Sequence, residues 1–188
     1  MTATRWAPGR SSSGSKVRPR AADAPRIEKK LEVTPAPRTL SADFLKARGV
    51  ADPKVQITRI LRVDLDGDGE EEVLISATNY FTEDKSDHSA APFPEAPIES
   101  PRPGSYSIVI LRRVVGGKVQ TQLVAGEIYA KTEPVAAHVY NVAAVLDLNG
   151  DGKLEVIVDS FYYEGGQTTI YRCQPDKIEE VLSVECGV

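Results

Sequence analysis

Residues 64–72 read DLDGDGEEE and residues 147–155 read DLNGDGKLE, so one acidic loop occurs twice, 83 positions apart, with six of nine residues identical. Each copy runs into an apolar segment, Val73-Leu-Ile in the first and Val156-Ile-Val in the second. A loop that twice meets the same strand-forming run implies one supersecondary unit used twice.

The flanking pattern has the period of strands. Val55, Ile57, Arg59 and Leu61 alternate with Thr58, Ile60 and Arg62 ahead of the first loop, and residues 73–77 leave it as a buried run. Strands are expected over 106–115 and 118–129, with Gly116-Gly117 between them as a two-residue hairpin turn. The second copy repeats this with strands over 139–146, 156–158, 168–174 and 178–186, and Gly165-Gly166 is expected at its second-to-third connection. A Pro-, Ser- and Asp-rich stretch at 82–104 is too long and polar for a turn and reads as a protruding loop.

Ahead of the strands a short N-terminal helix is expected, capped by Ser41, made amphipathic by Phe44 and Leu45, and ended by Gly49. Residues 1–38 lack apolar periodicity and read as a disordered basic tail. They hold nine Lys/Arg against three Asp/Glu, which leaves fourteen against twenty-four for residues 39–188. The remainder is therefore a single acidic all-β domain of two repeats, about 39–133 and 134–188, built as two four-stranded antiparallel blade-like sheets. An acidic body argues against nucleic acid as the partner and points to cations.

The loops have the chemistry of a hard divalent cation, which takes six to eight oxygens. Alternate positions 1, 3 and 5 supply Asp64, Asp66 and Asp68 in one loop and Asp147, Asn149 and Asp151 in the other. Glycines at positions 4 and 6 let the backbone coil, position 7 offers the carbonyls of Glu70 and Lys153, and position 9 offers Glu72 and Glu155. An EF-hand closes with Glu at position 12 between helices, and here that position is Ile75 or Val158. The arrangement is strand–loop–strand, with two Ca2+ sites as the expectation. Plain acidic turns are the alternative, since Asp and Gly suit turns without a metal.

The motif D-x-D/N-G-D-G-x-x-E followed by an apolar strand resembles the FG-GAP/VCBS repeat of integrin-type propellers and bacterial surface proteins. That resemblance implies calcium on the loop carboxylates, blade-like sheets, and a binding or adhesion module outside the cell or in its envelope. A propeller closes with more blades than two, so the chain would either oligomerise or pack its two sheets face to face.

An export segment is not expected, because the first thirty residues lack an apolar core, and no window approaches a spanning helix. No catalytic motif stands out, so the expected role is not enzymatic. The competing reading is a secreted enzyme or enzyme-associated domain whose groups meet only in the fold, starting from Asp159, Glu164, His88 or His138. His88 reads as solvated and His138 as packed. Phe161-Tyr-Tyr163 is a candidate recognition surface for a protein or carbohydrate. Cys186 shares a face with Leu182 and Val184 and reads as a buried thiol, able to bridge Cys173 if their strands bring the two together.

Overall fold

A computed structural model describes residues 35–80 and 100–187. Most of the expected tail and insertion, together with His88, lies outside them. One helix, α1 (Pro35–Lys46), precedes eight strands: β1 (Ile57–Val63), β2 (Glu72–Thr78), β3 (Tyr106–Val115), β4 (Lys118–Ile128), β5 (Val139–Leu146), β6 (Glu155–Tyr162), β7 (Gly165–Cys173) and β8 (Ile178–Gly187). They form two antiparallel four-stranded meanders, ordered β1-β2-β3-β4 and β5-β6-β7-β8. The fold is all-β, and the described residues make two sheets, not a ring of blades.

The helix begins earlier than its sequence signals indicate. Ser41 sits inside it and donates its hydroxyl to the Pro37 carbonyl at 2.9 Å, so it is not the cap. The end is as expected: Gly49 adopts φ +93°, and the amide of Val50 reaches back to Leu45 at 3.2 Å. Leu45, Phe44 and Val50 then bury against Ile75, Ala77, Tyr106, Ile108 and Ile110 on the back of the first sheet.

Strand alternation gives that sheet a second, equally apolar side. Leu74, Val109 and Leu111 point forward and pack against Val142, Val156 and Val158 from the back of the second sheet. The sheets thus stack front to back. Polar groups at the junction are matched across it: Tyr140 N–H donates to Ser107 Oγ at 2.9 Å, Val142 N–H to Ser76 Oγ at 3.3 Å, and Arg59 Nη1 to the Val142 carbonyl at 2.6 Å. Buried Arg113 crosses the junction, donating to the carbonyls of Cys173 and Gln174 while Gln122 Oε1 braces it at 2.7 Å.

Two local expectations are corrected. Gly165 and Gly166 are the first residues of β7, and the turn is Tyr163-Glu164 instead. A Cβ on Gly166 would lie 2.7 Å from the Phe161 ring, so close cross-strand packing is what demands glycine there. The cysteines stand at opposite ends of the β7–β8 pair, where Cys173 faces Ile178 and Cys186 faces Gly166. About seven residues at ~3.3 Å each separate them, far beyond disulfide reach. Both are free; Cys173 is buried, which pushes its thiol up to about 11, whereas Cys186 is exposed together with Leu182 and Val184.

The front-to-back junction carries much of the stability, so Leu111→Ala should cost about 2–5 kcal/mol in urea unfolding. Leu182→Ala, on the open front of the second sheet, should stay within about 0.5 kcal/mol.

Candidate functional site

Both acidic loops are β-hairpin connections, β1 to β2 and β5 to β6, and both fold through the same hydrogen bonds. Asp64 accepts the amides of Gly67 and Gly69 at 2.8 and 2.9 Å, and Asp147 accepts those of Gly150 and Gly152 at 2.6 and 3.0 Å. The four glycines have φ between +78° and +90°, where a side chain would be strained. Asp68 accepts Glu70 N–H, and Asp151 accepts Lys153 N–H. The ninth residue turns back into the loop: Glu72 Oε2 accepts Leu65 N–H at 2.8 Å and Glu155 Oε2 accepts Leu148 N–H at 3.0 Å.

The loops differ in what fills their centres. In the first, carboxylate oxygens of Asp64, Asp66 and Glu72 lie within 4.8 Å of one another. Burial pushes the Glu72 carboxyl up, and Asp66 and Asp68 push it further, against the pull of the Leu65 amide. In the second loop, Asn149 replaces the third-position acid and donates to Asp151 Oδ2 at 3.0 Å and Glu155 Oε1 at 3.2 Å. Arg172 Nε stands 3.5 Å from the same Glu155 oxygen. The second loop therefore supplies its own donors, whereas the first concentrates acceptors.

The loops also touch. Leu154 N–H donates to the Leu65 carbonyl at 2.8 Å, and a cleft of about 540 Å³ between the loops is lined by Asp66, Asp68, Asn149, Asp151, Glu155 and Arg172, among others. Leu65 is buried in the core between the sheets, with Leu154 packed against the same cluster, and its repeat equivalent Leu148 is half exposed.

At the opposite end of the stack lies a cluster that loop spacing did not signal. Glu127 on β4 accepts from the Tyr129 hydroxyl and, at 3.3 Å, from the Tyr140 hydroxyl, with His138 Nδ1 3.3 Å from its Oε1. Burial raises this carboxyl, but His138 beside it and the hydrogen bond from Tyr129 outweigh that and hold Glu127 below the usual glutamate range. Glu127 and Tyr129 are two apart, so strand period alone placed them on one side. His138 also packs on Tyr162, with ring centroids 5.1 Å apart, as the packed reading expected. Of the groups from which an enzymatic reading starts, Asp159 accepts the Thr168 hydroxyl at 2.6 Å, and Glu164 lies in the exposed turn beside Tyr163.

Compared with protein-family models, with characterised proteins and with solved structures, the chain matches none.

Because the folded-state value of Glu127 is depressed, its contribution to stability is present above the unfolded value of about 4.3 and is lost as pH falls through the folded one. Glu127→Gln should flatten the acid limb of a melting-temperature profile below about pH 4.3 relative to the unaltered chain.

Proposed function

We propose that the chain is a calcium-stabilised binding or adhesion module that works outside the cell or in its envelope. The observation that carries this reading is the convergence of Asp64, Asp66 and Glu72 oxygens within 4.8 Å in a loop that offers them no basic side chain among the described ion pairs. Oxygen-only donors of that charge suit calcium better than magnesium, which keeps its waters and demands octahedral geometry. Bound calcium would offset the repulsion among the six acidic side chains at 64–72 and stiffen the hairpin against which the second loop docks.

We assign a second, weaker site to Asp147, Asn149, Asp151 and Glu155, because a cation there competes with the Asn149 amide and with Arg172. Glu70 and Lys153 contribute backbone oxygen in this reading. An extracellular setting follows from the affinity expected of such loops, roughly 10⁻⁴–10⁻³ M, which millimolar calcium fills.

An enzymatic reading draws on one observation, the cleft beside Glu127, Glu133 and Glu185 away from both loops. Burial pushes the Glu127 carboxyl up, but His138 and Tyr129 hold it below the usual glutamate range, which suits it to attract a cation more than to release a proton. Binding is therefore the preferred role.

In 1 mM calcium the stabilisation expected at such an affinity is about 0.4–1.4 kcal/mol per site, a rise of a few degrees in melting temperature over EDTA. Asp64→Ala should abolish most of that rise and Asp147→Ala a smaller part. A midpoint indifferent to calcium would identify both loops as ordinary acidic turns.

A further inference from the structure

The cleft at the far end of the stack, about 710 Å³, is walled by Glu127 and Tyr129 from the first sheet, Val135 and His138 from the link into β5, and Tyr162 and Glu185 from the second sheet. We propose that it binds an alkylammonium group, the chemistry shared by a free aliphatic amine and a lysine side chain. This assignment goes beyond the calcium reading and does not rest on it.

The sign of the charge comes first. Apart from His138, every ionisable side chain on the wall besides the tyrosines is a carboxylate: Glu127, Glu133 and Glu185. The neighbouring cation, Lys131, stands 4.0 Å from Glu133 with four-fifths of its side chain in water, so it leaves the cleft acidic. Such a wall disfavours anions and raises the local concentration of cations.

Shape and hydrogen-bonding capacity narrow the class. A carboxylate has about four acceptor positions. Glu127 uses two, on the Tyr129 and Tyr140 hydroxyls, while His138 Nδ1 lies 3.3 Å away without a hydrogen-bond partner among the described residues, and its side chain is 30% exposed, which leaves room for a further N–H donor. An ammonium brings three donors and a full charge, and charge-assisted hydrogen bonds are about twice as strong as neutral ones. The rest of the wall suits the stem. Ile128, Val135 and Ala136 offer apolar surface, and the Tyr162 ring, held by His138 on one side and Tyr163 edge-on at 5.9 Å, offers a π surface to a cation. A bare metal ion would leave these apolar and aromatic surfaces unused. Phe161-Tyr-Tyr163 contributes through Tyr162, which strand alternation places on the face opposite Phe161 and Tyr163.

The test is a ¹H–¹⁵N NMR titration of the full chain in millimolar calcium, with 1,5-diaminopentane, with a lysine-containing tripeptide, and with maltose as a neutral sugar. Saturable shifts at the amides of Glu127, His138 and Tyr162 with either amine, and none with maltose, are the expected result. The tighter amine tells whether the source is a small molecule or a lysine of a protein partner. A Glu133→Gln/Glu185→Gln double variant, altered only at partly or fully exposed side chains, should weaken amine binding about tenfold, and Tyr162→Leu by a similar factor. Asp64→Ala should leave it unchanged, which separates this site from the loops. Absence of saturable shifts with both amines, equal affinity in the double variant, or shifts at these amides with maltose alone would overturn the assignment.

Discussion

The aspartate that opens each acidic loop holds two glycine amides on its two oxygens, and the remaining architecture is arranged around that contact. Asp64 gathers Gly67 and Gly69, Asp147 gathers Gly150 and Gly152, and each pair forces the backbone through positive φ. The coil so formed returns the chain into β2 or β6 with the ninth-position glutamate pointing back inside. It also presents the Leu65 carbonyl to Leu154, so the loops dock on each other at one end of the stacked sheets. Loop geometry, repeat register and sheet packing are in this sense one constraint.

The stack has a direction. The back of the first sheet is closed by α1 through Leu45 and Phe44, and its front by the second sheet. The repeat-equivalent front of the second sheet carries Ile157, Ile170, Leu182 and Val184, the last two more than half exposed. Leu65 is covered by the following loop, and Leu148, its equivalent, has no following loop among the described residues. Two copies of one unit therefore occupy unequal environments. The same inequality reaches the loop centres, where Asp66 faces like charge and Asn149 with Arg172 has already satisfied Glu155.

Much of this was legible in the residues. Strand alternation located β3 and β5 to the residue, and the doubled motif announced two four-stranded units, because a period of two and a repeated loop are local signals. The start of α1 was misplaced because Ser41 can cap a helix or bond back within one, and here its hydroxyl bonds back to the Pro37 carbonyl. Gly165-Gly166 resembled a turn, but glycine also serves where Phe161 and the Cys186 carbonyl crowd a strand. Arg113, the Glu127–His138–Tyr140 cluster and Arg172 on Glu155 are contacts between residues far apart in sequence, and no spacing rule reaches them. The cysteines diverged for the same reason, since β7–β8 register sets their separation.

The proposed calcium site in the first loop is built on Asp64, Asp66 and Glu72. Diffraction from crystals grown in saturating calcium, with anomalous differences collected at long wavelength, tests it most directly. A calcium peak is expected among those three side chains, with carboxylate oxygens at about 2.3–2.6 Å and a weaker peak in the second loop. A first loop that keeps its Asp64 hydrogen bonds while showing water or nothing at that position would contradict it.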